Sequence, residues 1–167
     1  MNRPRKIEIL SRRKLADLLI YKDFISSIAI IEIKNHWYED ELSLSGVKAH
    51  LELVFNDVSD PDGGAMTREQ AKEIVAFVRS LEETTPIYVS CMGGISRSPA
   101  VAAAIVFSEG YDDWYIWRSI CYSPSSWCYT LLLEAFGVDK SDVMEKVELN
   151  RGLQKWVCFD SSNLVKY

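Results

Sequence analysis

No stretch of this chain approaches the ~18–20 consecutive apolar residues that a bilayer-spanning helix needs. The longest low-polarity run covers residues 99–107, in mid-chain. Arg3, Arg5 and Lys6 make the start basic, but no signal-type apolar core with a small-residue cleavage site follows. A cytoplasmic location without membrane contact is the expectation. Histidine is scarce, with two in 167 residues, and Cys91, Cys121, Cys128 and Cys158 form no C-x-x-C pair. That leaves no zinc-site spacing, so no metal and no organic cofactor are expected, and the cysteines are read as thiols of a reducing compartment. Positive charge is also short. Lys+Arg 19 against Asp+Glu 24 leaves −5, which argues against non-specific nucleic-acid or anionic-membrane binding as the main activity. Neither an internal repeat nor a low-complexity segment is present.

What is there suits one globular domain. Apolar residues make up 48% and charged residues 26%, and a chain this long buries most of its apolar surface. A catalytic-size domain over residues 1–150 is expected, with 151–167 as a tail, and a monomer is expected. Residues 7–10 read as a short strand and 11–20 as a helix, with Ser11 at the N-cap and Leu15, Leu18 and Leu19 on one face. Residues 26–33 (SSIAIIEI) read as a buried strand, and residues 34–48 as a loop. In 50–55, Leu51, Leu53 and Phe55 alternate as a strand requires. Residues 56–65 (NDVSDPDGGA) are a loop by composition. Thr67 and Gln70 fit a capping box, and Ala71, Ile74, Val75, Val78 and Leu81 make the core stripe of the helix they start. Residues 86–90 are a strand and 98–108 a helix, with Pro99 near its first position and Gly110 past its end. Two or three helices are predicted in 112–148. Asp112 and Asp113 start one; Ser125 caps another, which Gly137 ends. Strands and helices in this order predict an α/β domain, a central, mainly parallel sheet flanked by helices. Ligands on such sheets bind beyond the carboxyl ends of the strands.

The turn after residue 90 stands at that place. Cys91, Met92, Gly93, Gly94, Ile95, Ser96, Arg97 and Ser98 run from a strand into a helix. Backbone N–H groups of such a turn form an anion nest, and the helix N-terminus adds its positive dipole end. Gly93 and Gly94 permit close backbone approach. Arg97 supplies a planar fork for two phosphate oxygens. Cys91 at the floor of the cup lies in positive potential, which favours the thiolate. These parts suit in-line attack of a thiolate on a phosphate ester, a cysteinyl-phosphate intermediate, and hydrolysis by water. Ser98 is placed to hydrogen-bond the departing sulfur. A bare C-x5-R is weak, but the full C-x-x-G-x-x-R-S arises by chance roughly once in a thousand chains with this many cysteines.

This loop resembles the phosphate-binding loop of the cysteine-dependent protein phosphatases. The likeness is nearest to the compact dual-specificity and tyrosine phosphatases, including small bacterial and phage-type members. It runs over about residues 7–136 and is strongest at the loop and its helix, ISRSPAVAAAIV. It implies the cysteine-phosphatase fold, with Cys91 as nucleophile, Arg97 and the backbone of residues 92–96 as phosphate binders, and Ser98 as the hydroxyl that releases the thiolate. One departure is plain. The family has His directly before the cysteine, and here Ser90 stands there. Serine donates a hydrogen bond but carries no charge, which predicts slower turnover at acid pH than the family shows.

The family also places an acidic residue after a strand, roughly thirty residues before the cysteine, to protonate the leaving oxygen. Asp57 directly follows the apolar strand, 34 residues ahead of Cys91, and fits that pattern best. Asp60, 31 residues ahead, is the alternative, and Asp62 reads as a plain turn residue. Other groups read more simply. His36 and His50 fall in no motif. Trp37 and Tyr38 are expected to pack on the domain, and Trp114, Tyr115, Trp117, Tyr122, Trp127 and Tyr129 to be core. Arg12, Arg13 and Lys14 read as a solvated face, and 139–148 as an exposed acidic helix. A reversible disulfide from Cys91 to Cys121 or Cys128 has no support in sequence.

The resulting expectation is a phosphatase acting on phosphorylated protein or peptide, tyrosine first and serine or threonine as well. Two rivals stand beside it. One is a phosphate-binding pseudophosphatase, suggested by Ser90. The other is a phosphatase for a non-protein ester such as a phosphoinositide, which the lack of basic residues at 92–96 disfavours.

Overall fold

A computed structural model describes residues 5–37 and 41–163, those from 155 onward by backbone alone. Four strands form one sheet: β1 (Ile7–Ser11), β2 (Ala29–Lys34), β3 (Ala49–Val54) and β4 (Ile87–Cys91). Their order is β1-β4-β2-β3 and every neighbouring pair is parallel. Parallel strands covered on both faces read as unbroken apolar runs, and β4, buried at all five positions, is one. It lies centrally, between β1 and β2.

The helices divide between the faces. On one side, Ile31, Ile33, Leu53, Val89 and Cys91 join a core with α3 (Arg68–Ser80), α4 (Arg97–Ser108) and α6 (Ser126–Phe136). On the other, Ile30 and Tyr88 pack with Leu15 and Leu19 of α1 (Arg12–Leu18) and its end, Ile25 of α2 (Lys22–Ile25), and Leu44 of the β2–β3 connection. Helix α4 is buried without a break from Arg97 to Val106, as a helix apolar all round must be. Its alanines keep it slim where sheet and α6 press from both sides.

Local signals act where the sequence places them. Ser11 Oγ accepts from the Lys14 N–H, Thr67 and Gln70 close a complete capping box, and Ser125 Oγ accepts from the Cys128 N–H. Gly137 ends α6 in the left-handed region, where a side chain would be strained. Three expectations shift. Residues 26–28 are not strand, because Ser26 and Ser27 donate their hydroxyls to the Asp23 and Phe24 carbonyls and hold a turn after α2. Residues 112–148 hold α5 (Trp114–Trp117), α6 and the start of α7, which runs Lys140–Asn163 and so reaches far into 151–167. Helix α7 is not simply exposed, since Val143, Val147 and Asn150 are buried at three- and four-residue spacing. Among the described residues no helix is long and apolar enough to cross a membrane.

The predicted aromatic core splits. Trp117 and Tyr129 are fully buried and meet edge to face at 5.0 Å, whereas Trp114 and Tyr115 are exposed. Trp37 is 66% exposed and does not pack as expected; Tyr38 lies outside the described residues. Asp113 organises the buried pair. It accepts from Trp117 Nε1 (3.1 Å) and the Tyr129 hydroxyl (2.6 Å), and pairs with Lys146 Nζ (2.7 Å), joining α5, α6 and α7. Burial, with the Asp113 charge adding to it, pushes the Tyr129 hydroxyl far above its usual range. Removing one partner of such a buried pair leaves the other charge uncompensated, a loss of about 3–5 kcal/mol. Asp113→Ala should therefore lower unfolding free energy by that amount in urea titration, and a loss under about 1 kcal/mol would contradict this role.

Candidate active site

Strand β4 delivers Cys91 to the carboxyl edge of the sheet, and the chain turns through residues 92–96 into α4. Cys91 is buried, with Sγ 3.1 Å from Ser98 Oγ. Arg97 is 4% exposed. Its Nη1 donates to the Phe55 carbonyl at 2.7 Å and sits 3.5 Å from the Lys34 carbonyl, so the ends of β3 and β2 hold the guanidinium. Its Nε is buried with no hydrogen-bond partner. A buried donor without a partner calls for an explanation.

The loop is tied from outside by its carbonyls. Met92 O accepts from the Arg12 N–H (3.3 Å), Ile95 O from the Ser123 N–H (2.8 Å), and Ser96 O from the Ala100 and Ser125 N–H groups (3.1 and 3.2 Å). No peptide bond is cis, so each tied carbonyl turns the N–H of the same peptide unit the opposite way. The N–H groups of Gly93, Ser96 and Arg97 thus face away from these tethers. Of the two glycines only Gly94 is demanded by geometry. It has φ +68°, and a Cβ there would lie 2.7 Å from Ser11 N and 2.8 Å from Leu10 C. A Cβ on Gly93 would make ordinary contact with Ile95.

The structure separates the three aspartates. Asp57 Oδ1 accepts from the Ser96 hydroxyl at 2.8 Å, so Asp57 touches the loop. Asp60 turns toward its own loop, where Oδ1 accepts from the Asp62 N–H and caps a 3-10 turn, Pro61–Gly63. Asn56, unremarked in the sequence reading, folds the segment back on itself. Its N–H donates to Gly64 O (2.7 Å), Nδ2 to Gly63 O (2.8 Å), and Oδ1 accepts from the His36 N–H (3.2 Å). An Asn opening an Asp/Gly-rich loop was the available signal. His36 lies against Gly64, and His50 is exposed on β3.

Other groups settle differently from expectation. Arg12 does not belong to a solvated face: its guanidinium pairs with Glu32, which is 1% exposed. Arg13 and Lys14 are exposed as expected, while Arg3 lies outside the described residues. Ser90 Oγ is buried without a hydrogen-bond partner. Cys91, Cys121 and Cys128 are free thiols, and Cys158 lies outside the described side chains. Burial pushes the Cys128 thiol up to about 12 against the Ser125 hydrogen bond, with Asp57 and Cys91 adding to the push and Arg97 opposing it. Such a thiol is a poor disulfide former. Among the described residues no three His, Cys, Asp or Glu side chains gather as metal ligands.

Solved structures resemble this fold, among them two that span most of the chain. The crystal structure of DUSP15 superposes with TM-score 0.59 at 17% identity, covering 89% of this chain and 94% of that one. That of PTPMT1 in complex with PI(5)P gives 0.53 at 15% identity, covering 84% and 94%. No curated protein matches by sequence. Residues 18–111 match the family described as "Polymorphic toxin system, DSP-PTPase phosphatase". That span holds β2, β3, the Asp57 loop, the Cys91–Arg97 turn and all of α4, and the chain belongs to this dual-specificity and tyrosine phosphatase type family.

Proposed function

We propose that this domain hydrolyses phosphate monoesters of phosphorylated protein, tyrosine foremost, through a cysteinyl-phosphate, and supplies the phosphatase activity of a polymorphic toxin system. The observation that carries the reading is a buried, unpartnered Arg97 Nε in the same turn as a buried thiol that meets Ser98 at 3.1 Å. The substrate phosphate takes the open donor and the inward N–H groups. Cys91 Sγ attacks phosphorus opposite the leaving oxygen; the S–P bond forms as the P–O bond breaks. Protonated Asp57 gives its proton to that oxygen. Water then attacks phosphorus, giving its proton to the Asp57 carboxylate. The P–S bond breaks, and the Ser98 hydroxyl donates to the released thiolate. The Ser96–Asp57 hydrogen bond supports Asp57 over Asp60, because it holds the carboxyl at the rim of the loop.

Substrate class follows from what surrounds the cup. Met92 is 45% and Ile95 53% exposed, and Val58, beside Asp57, is exposed too. No Lys or Arg stands at positions 92–96. An apolar rim suits an aryl ring, whereas polyphosphorylated headgroups call for added cations. The proposal is therefore phosphotyrosine rather than the class of ligand seen in the PTPMT1 complex.

The test is hydrolysis of p-nitrophenyl phosphate in EDTA, then of phosphotyrosine peptide, phosphoserine peptide and short-chain PI(5)P. Cys91→Ser should abolish turnover. Asp57→Asn should cost ~10²–10⁴ in kcat, the usual contribution of a general acid, with Asp60→Asn near wild type. Turnover surviving in Cys91→Ser, or an inactive wild type that still binds phosphate, would overturn the enzyme reading, and preference for PI(5)P would overturn the substrate class. Gly94→Ala should displace the loop and reduce kcat/KM about 100-fold, an effect of the size caused by ångström-scale misplacement. A wild-type rate in that variant would show that the Gly94–Ser11 contact does not set the cup.

A further inference from the structure

Glu32 is the one fully buried charge in β2, at 1% exposed, whereas Lys34 ends the strand half-buried. A carboxylate is costly to bury, and burial pushes this one up; Arg12, then Lys34, act against that push, and Glu52 adds to it. Apolar residues of similar size serve such a site at least as well for stability. The retained charge therefore calls for another reason, and its neighbours supply one. Oε1 accepts from Arg12 Nη1, and Arg12 is the residue whose backbone N–H holds the Met92 carbonyl. Arg12 follows Leu10 and Ser11, the backbone on which Gly94 rests. The loop that begins at Cys91 thus leans on one corner of the chain, between β1 and α1, and β2 pins that corner through the Glu32–Arg12 pair.

Ser90 stands opposite Glu32 in the parallel register, on the same face of the sheet. Both Glu32 Oε2 and Ser90 Oγ are buried without hydrogen-bond partners. Adjacent strands lie ~4.7–4.9 Å apart, so side chains at facing positions on one face come within reach of an O–H···O bond after a rotamer change. Ser90 is also the residue directly before Cys91.

We propose that Glu32 is a positioning residue for the phosphate loop. It fixes Arg12, and through Arg12 the Met92 peptide and the seat of Gly94, while offering its second oxygen to the Ser90 hydroxyl. It touches neither substrate nor sulfur. Losing it removes the buried β2 partner of the Arg12 guanidinium, loosens the corner and turns the Gly93 N–H away from the phosphate. This inference rests on the phosphatase reading for its kinetic readout, and on the loop alone for its binding readout.

The experiment compares wild type with Glu32→Gln and with the double variant Arg12→Met/Glu32→Met. Urea unfolding measures stability, p-nitrophenyl phosphate turnover gives kcat and KM, and inorganic phosphate serves as the binding probe by calorimetry. The apolar double variant is expected to be as stable as wild type. Both variants should nonetheless bind phosphate about 10-fold more weakly and lose about 10–100-fold in kcat/KM, measured far below their unfolding temperatures. A stable double variant with wild-type phosphate affinity and kcat/KM would overturn the proposal and leave the pair a structural one. Should Glu32→Gln not fold, the double variant decides alone. If wild type shows no turnover, the phosphatase reading falls, and the calorimetric comparison still decides the role of Glu32.

Discussion

Burying a guanidinium at the mouth of a cup is the constraint on which this structure turns. Arg97 is nearly inaccessible, and such a cation is tolerable only with its donors met. Two strand ends meet part of the requirement, through the carbonyls of Phe55 and Lys34. Nε is left buried without a hydrogen-bond partner, and on the proposed reading an anion completes it. The same strand end then launches the acid loop. Phe55 accepts from Arg97, Asn56 closes the loop on itself, and Asp57 returns to the Ser96 hydroxyl. The buried Arg97 cation and the aspartate that meets Ser96 are therefore both held from residues 55–57, the short piece that follows β3.

The loop between them has almost no structure of its own. Its shape comes from neighbours that take its carbonyls: the β1–α1 corner through Arg12, and the segment ahead of α6 through Ser123 and Ser125. Because a trans peptide points its N–H opposite to its C=O, ties made outside the cup aim donors inside it. A nest preorganised in this way needs no rearrangement when the anion arrives, the condition for effective electrostatic stabilisation. Ser125 carries two loads, since its N–H holds the Ser96 carbonyl while its hydroxyl caps α6.

Legibility in the sequence followed the range of the interactions. The capping box at Thr67, the Ser11 and Ser125 caps and the glycine that ends α6 depend on residues within a few positions of each other, and they stand in the structure as written. The C-x5-R turn was legible for the same reason, being a local device between one strand and one helix. What was not legible depended on partners far away in the chain. Arg12 reads as a surface charge until the fold brings it to Glu32, and a lone Glu in IAIIEI was the only hint of that pairing. Backbone carbonyls such as Phe55 O leave no trace in side-chain pattern at all. Asp57 and Asp60 differ by three positions in sequence, and only the Ser96 contact tells them apart. Trp37 shows the converse, an aromatic that local expectation packs inward and the fold leaves exposed.

The overall charge of −5 opposes a phosphorylated substrate at long range, yet this opposition fades over the ~8 Å screening length of physiological salt. Close to the cup the balance reverses. On the proposed reading an incoming phosphate would meet Arg97 and the N-terminus of α4, whose positive end acts within its first turn. Attraction is thus confined to the depth of the loop and carries little information about what bears the phosphate. Discrimination falls to the rim, where Met92, Ile95 and Val58 present apolar surface and the Asp57 carboxyl stands at the edge. On the proposed reading, a substrate whose phosphate is carried out on a flat ring would reach the buried thiol while laying apolar surface on that rim. A phosphate on a short aliphatic arm has less apolar surface to lay there. Selectivity for the carrier and binding of the phosphate are therefore separable on the proposed reading, the one assigned to exposed side chains and the other to buried backbone.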